Sequence, residues 1–196
     1  MGAWTLTLFH GGWGRVSASA TAQYVIDHFE PDLLVNIGTC GGFQGRIKRG
    51  TVLLVEQTVI YDIVEQMTDP DEAIARYSTK LDLSWLPSIP PSPVMRGLMA
   101  SGDRDIVPAD ISMLIKKYGA VAADWESGAI AWVASKNGKP ALILRGVSDL
   151  VGTEGGEVYG DYTLFMDRTN EIMRHLTSVL PLWLDGIEEV RIATQS

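Results

Sequence analysis

The sequence predicts an α/β protein, a three-layer αβα sandwich with a mixed, twisted central sheet. Residues 120–150 read as strand, helix, strand, with Asp124-Trp125-Glu126 ending the first strand and Arg145-Gly146-Val147-Ser148-Asp149 ending the second. Residues 141–144 are wholly apolar, the pattern of a strand buried on both faces. Nearer the start, residues 4–9 alternate as a strand, and Gly11-Gly12-Trp13-Gly14 turns them into a helix over 16–29. Residues 32–37 form a further apolar strand.

The remaining elements follow in order. Residues 51–60 are a long β-rich stretch leading to Tyr61-Asp62. Over 64–93 the pattern decays into acids, polar residues and five prolines, which reads as a long loop with one short helix, shaping a pocket rim or a subunit contact. Residues 96–100 are a strand ending in Ser101-Gly102-Asp103-Arg104-Asp105-Ile106, and 109–118 are a short amphipathic helix. A helix through Ile130, Trp132 and Val133 runs to Asn137, where Asn137-Gly138-Lys139-Pro140 stops it. Phe165, Thr169, Ile172, Met173, Leu176, Val179, Leu180 and Trp183 keep helical spacing, a packing stripe rather than a cofactor site, and 188–196 read as a frayed tail.

Composition narrows the function classes. At 196 residues and 46% hydrophobic, one domain with a sizeable core is expected. No apolar run approaches the roughly 18 residues of a membrane span, so a cytoplasmic protein without a membrane partner is expected. A single cysteine, Cys40, excludes an internal disulfide, and His10, His28 and His175 form no HxxxH or HxH pair, so no metal is expected. A net charge of −8 argues against nucleic acid, which calls for a basic surface.

Open α/β sheets bind ligands beyond the carboxyl ends of their strands, so Glu126 and Asp149 would both project into a crevice there. They also fit a helix first-turn acid and an ordinary turn residue. The loop Gly38-Thr39-Cys40-Gly41-Gly42-Phe43 can bring backbone N–H groups around a sugar or an anion, or be a tight turn. Gly12-Trp13-Gly14-Arg15-Val16-Ser17 approaches the dinucleotide fingerprint, but its third glycine is Ser17 and no ribose-holding acid ends the next strand.

Four stretches together resemble the nucleoside phosphorylase and nucleosidase superfamily, most of all its 5'-methylthioadenosine/S-adenosylhomocysteine nucleosidases. They are DWESGAIAWVASKNGKPALILRGVSDL, GGWGRV, NIGTCGG and the Gly-x-x-x-Ser-Gly-Asp run at 97–103. The resemblance implies the phosphorylase/hydrolase-like fold, a homo-oligomer, no cofactor, and cleavage of a purine N-glycosidic bond in a small-molecule nucleoside. It implies that Asp149, held by Ser148 or a nearby backbone group, donates a proton towards N7 of the base, for which its pKa must be raised by burial or by a hydrogen bond to the neutral form. Glu126 would take the ribose hydroxyls with Trp125 on the sugar, beside Asp124. Thr39, Cys40, Gly41 and Gly42 would line the nucleophile side, Trp13 would sit near the sugar and its 5' substituent, or simply plug the sheet end, and Ile106 and Tyr159 would contact the base.

Two features sharpen the resemblance. Phosphorylases of the superfamily carry an arginine two positions before the first glycine of the loop; here stands Asn36, which cannot give arginine's charge-assisted phosphate contact. Water is therefore the expected nucleophile. Where the family stacks a phenylalanine on the purine, this chain has Asp105, which leaves the base open and keeps a futalosine-type hydrolase in view. The family also has a further strand and a Met-Glu-Glu-type loop ahead of residue 4, whose glutamate deprotonates the water. A shortened start, a substitute base (His10 being nearest) and a non-catalytic nucleoside binder are the three readings that follow.

Overall fold

The computed structural model describes residues 4–195, with side chains described through residue 190. The chain forms α1 (Gly14–Phe29), β1 (Leu34–Phe43), β2 (Val52–Ile60), α2 (Pro70–Arg76), β3 (Thr79–Lys80), β4 (Met95–Ser101) and α3 (Pro108–Met113). A π-helical turn at Leu114–Tyr118 continues α3, followed by β5 (Ala120–Asp124), α4 (Ser127–Lys136), β6 (Ala141–Gly152), β7 (Gly155–Gly156) and α5 (Tyr162–Gln195).

The strands run in the order β3-β2-β4-β5-β1-β6-β7. The sheet is mixed, as expected: β1 is parallel to β6 but antiparallel to β5, while β4 is parallel to both β2 and β5. It is not open. β2 also pairs antiparallel with β6, so β2, β4, β5, β1 and β6 join in a ring. Cys40, Leu53, Val55, Met99, Val121, Ile143 and Val147 supply side chains from all five strands to one buried cluster, as the interior of such a ring requires. On one outer side α5 lays Ile172, Leu176, Trp183 and Ile187 over Val52, Leu54, Leu142 and Leu144. The Trp183 indole is 1% exposed and its N–H donates to Ser92 Oγ at 3.0 Å, so burial leaves no polar atom without a partner. α4 packs through Ala131 on the ring cluster, and Val133 meets Ala22 and Ile26 of α1.

Four expectations are corrected. Residues 4–9 are extended but form no ladder; the Trp4 indole N–H donates to the Leu184 carbonyl at 3.0 Å and the Phe9 ring meets Phe29 at 5.0 Å, so side chains at its two ends fix the segment. The supposed 38–43 loop is the second half of β1, because pairing with β6 continues through Phe43. β6 likewise runs past Leu144 to Gly152, carried by β1 and then β7. Finally, α5 continues to Gln195 instead of fraying at 188, since Leu184 and Ile187 are still buried in the last described turns.

Candidate active site

β1 is the spine of the site. Its Asn36 side chain, Gly38 and the Thr39 carbonyl meet Arg145 of a cluster built on β5, α4 and β6, and its Gly41 lies beside a second built on β6.

At the first cluster Asp124 ends β5 and Glu126 precedes α4. Asp124 is almost wholly buried: its Oδ1 accepts from Ser101 Oγ at 2.6 Å, both oxygens accept from Ser127 N at 3.2 Å, and Oδ2 also takes the Ser127 hydroxyl. The Arg145 Nε lies 3.1 Å from Asp124 Oδ2. That guanidinium also donates to Ser127 Oγ (2.9 Å), Thr39 O (3.3 Å) and Asn36 Oδ1 (2.8 Å), and stands 3.7 Å from Glu126 Oε2. A side chain on Gly38 would take its space. Glu126 is less enclosed, accepting from Gly14 N at 3.0 Å through Oε1. Burial raises its pKa, and the Gly14 N–H and then the Arg145 charge oppose the rise.

At the second cluster, the register between β1 and β6 skips one residue: Cys40 pairs with Val147 and Gly41 with Asp149. Ser148 is thus the extra residue of a bulge, a device that re-aims neighbouring side chains. Its hydroxyl donates to Asp149 Oδ1 at 2.7 Å and lies 3.3 Å from the Cys40 carbonyl. Asp149 is 5% exposed, and burial raises its pKa; the Ser148 hydrogen bond opposes this, because a hydroxyl donating to a carboxylate favours the charged form. The rise expected for Asp149 is present, and it comes from burial rather than from Ser148. A Cβ on Gly41 would come within 2.7 Å of Ile106 Cδ1, so glycine lets Ile106 close on this strand. The Tyr159 hydroxyl donates to the Ile106 carbonyl at 2.9 Å, and its pKa is pushed up to about 12 by burial and by the charges of Asp105 and Asp149.

The predicted residues therefore fall into two groups linked through β1: Asp124 and Glu126 with the Thr39 carbonyl on Arg145, and Gly41, Ser148, Asp149, Ile106 and Tyr159. Trp13, 73% exposed, precedes the Gly14 amide that meets Glu126, and Trp125 stands partly exposed between the two acids. Cys40 and Gly42 are placed differently from a ligand-facing loop. The Cys40 side chain lies in the ring cluster, its pKa raised by burial, and Gly42 faces Ile47, Val147 and Leu150. His10 takes the Gly12 amide on its Nδ1 at 3.3 Å, at the surface. Arg145 was missed as a site residue, although a charged side chain directly after four apolar strand residues is the signal that could have found it. A surface groove bordered by Glu56, Lys80, Ser84, Arg96 and Tyr118 shares no residue with either group. Among the described residues no group of three or more His, Cys, Asp or Glu could hold a metal, and no helix is long and apolar enough to cross a membrane.

The model of the phosphorylase superfamily matches residues 1–180. This chain belongs to that superfamily. The 5'-methylthioadenosine/S-adenosylhomocysteine nucleosidase of Buchnera aphidicola is 28% identical over 159 residues, 72% of this chain and 66% of its own length, so the match spans just under two thirds of that relative. Among solved structures, the same fold is found in the 5'-methylthioadenosine/S-adenosylhomocysteine nucleosidase of Streptococcus pneumoniae with a transition-state inhibitor (TM-score 0.70, 22% identity, 90% of this chain and 79% of that one). The native futalosine hydrolase of Helicobacter pylori superposes with TM-score 0.73 at 20% identity, over 89% of this chain and 77% of that one.

Proposed function

We propose that this chain is a nucleosidase that hydrolyses the N-glycosidic bond of a purine nucleoside of the 5'-methylthioadenosine or S-adenosylhomocysteine type and releases the free base. The observation that carries the reading is Asp149: a buried carboxyl of raised pKa, re-aimed by the Ser148 bulge beside Gly41, Ile106 and Tyr159. Breaking the bond places positive character on the ribose and negative charge on the departing base, so the base needs an acid and the sugar a carboxylate. Asp149 gives its proton towards N7 as the bond breaks, which a raised pKa favours. Glu126 accepts the ribose 2'- and 3'-hydroxyls, with Trp125 against the sugar and Trp13 towards the 5' substituent. Water attacks C1' from the Thr39–Gly41 side, and the proton it loses to solvent as the C–O bond forms balances the one Asp149 gave the base and takes back before the next turnover. Ile106 and Tyr159 hold the base.

Hydrolysis is favoured over phosphorolysis because position 36 is neutral and Asn36 already holds Arg145, whose guanidinium is engaged by Asp124 and Ser127. A futalosine-type substrate is the second reading. It is favoured by Asp105, whose charge reaches Asp149 and Tyr159 from the position where the family stacks an aromatic ring. The scaffold is a single nucleoside-binding domain in three layers, with α5 on one face of the sheet and α1 and α4 on another, working without a cofactor as a cytoplasmic homo-oligomer. The test is purine release from methylthioadenosine, S-adenosylhomocysteine, inosine and futalosine, with and without phosphate. Phosphate-independent release is expected; strict phosphate dependence would make the chain a phosphorylase, and no release from any of them would refute catalysis.

A further inference from the structure

The proposed chemistry leaves one conspicuous cation unused. Arg15 sits in the first turn of α1, where a positive charge opposes the helix dipole. Two carboxylates from the loops that follow β2 and β4 surround it. Its NH2 donates to Asp62 Oδ2 at 2.9 Å and its Nε to Asp103 Oδ2 at 3.0 Å, a two-pronged fork across the two acids, while its NH1 stands 2.7 Å from Asp62 Oδ1 as an ion-pair contact. The circuit is closed twice by backbone: Arg15 N donates to Asp103 Oδ1 at 2.7 Å, and Asp103 N donates to Asp62 Oδ2 at 3.0 Å. Two glycines give these carboxylates room. A Cβ on Gly14, whose φ is +77°, would come within 2.9 Å of Asp103 Oδ1, and one on Gly102 within 2.9 Å of the Tyr61 ring and 3.2 Å of Asp62 Cγ.

The amide next to this clamp is that of Gly14, and it donates to Glu126 Oε1 at 3.0 Å. Successive amides of one turn thus each hold a carboxylate, Gly14 that of Glu126 and Arg15 that of Asp103. We propose that Arg15 is a positioning residue: by gripping Asp62 and Asp103 it fixes the start of α1, so that the Gly14 amide holds Glu126 in the orientation that receives the sugar. The proposal rests on the reading of Glu126 as the ribose-binding acid. It also joins the ends of β2 and β4 to the sugar side of the site through one side chain, 24% exposed.

Arg15→Lys tests it, since lysine keeps the charge and stem but cannot form the fork. With nucleoside as substrate, KM is expected to rise about tenfold, the worth of one hydrogen bond, while kcat changes less than about twofold. Hydrogen exchange at the Gly14 amide is expected to accelerate by about the same factor, with 142–144 in β6 unchanged. Arg15→Met should behave as Arg15→Lys does, showing that the fork and not the charge matters. An unchanged KM with unchanged Gly14 exchange would overturn the proposal, as would equal acceleration at 142–144, which marks loss of general stability. If the unsubstituted protein releases no base, the functional reading fails by itself, and the exchange comparison still decides whether Arg15 fixes the turn.

Discussion

Two buried aspartates, Asp124 on β5 and Asp149 on β6, flank β1 and have opposite surroundings. Asp124 meets Ser101, the amide and hydroxyl of Ser127, and the Arg145 guanidinium, so its acceptor capacity is filled and its charge is matched. Asp149 has the Ser148 hydroxyl and, among the described residues, no ion pair. Equal burial therefore gives different chemistry. The first carboxylate locks β4, β5, α4 and β6 together. The second is held in a setting that makes its negative charge costly, which suits a group whose work is to give up a proton at a reacting atom.

Substituting the two should separate their roles. Asp149→Asn is expected to lower turnover by about 10²- to 10⁴-fold, the usual worth of a general acid, with its melting temperature little changed. Purine release and thermal melting measured together check this. Asp124→Ala is expected to do the reverse in emphasis. It strands the buried Arg145, at a cost of about 3–5 kcal/mol, a loss on the order of 10 °C in melting temperature for a chain of this size. If Asp149→Asn melts early and keeps its activity, the contrast between the two residues has been drawn the wrong way round.

The sequence makes this contrast only half visible. The acids at 124, 126 and 149 stand out because each follows an apolar strand segment, and the mixed sheet with its covering helices follows from the same periodicity. Which acid is locked is invisible, because the locking residues Ser101 and Arg145 lie 23 and 21 positions away in the chain and meet Asp124 only after β4, β5 and β6 assemble. The Ser148 bulge is hidden for a similar reason: it exists only in the register between β1 and β6. Glycines at 38, 41 and 42 read as a loop because their usual meaning is a turn, whereas here they admit Arg145, Ile106 and the Ile47–Val147 pair against a continuing strand. Residues 4–9 have strand alternation, yet alternation supplies no hydrogen-bonding partner, and the structure provides none.

Titration sharpens the comparison further. In the proposed mechanism Asp149 must be protonated to act, and its folded pKa is raised, so kcat/KM should fall as pH climbs through that raised value, above the ordinary 3.8. The sign for stability is the same: the folded form binds the proton more tightly, so Asp149's contribution is full below 3.8 and is lost as pH rises through the folded pKa. Asp149→Asn should remove both dependences. As the proposed ribose acceptor Glu126 must be ionised, so its raised pKa should set an acid limb above 4.5, which Glu126→Gln should abolish while raising KM about tenfold.

The smallest effect belongs to Ser148→Ala. If Ser148 helped Asp149 by holding its proton, removing the hydroxyl would move the alkaline limb to lower pH. The geometry predicts the opposite. The hydroxyl donates to Asp149 Oδ1 and so favours the carboxylate; without it burial acts unopposed by that bond, and the limb should move to higher pH. Stability should fall by about 1 kcal/mol, because the Cys40 carbonyl also loses a neighbouring donor. A pH profile of kcat/KM for Ser148→Ala therefore distinguishes a serine that tunes the acid downward from one that presents its proton, and a limb displaced to lower pH would assign it the second role.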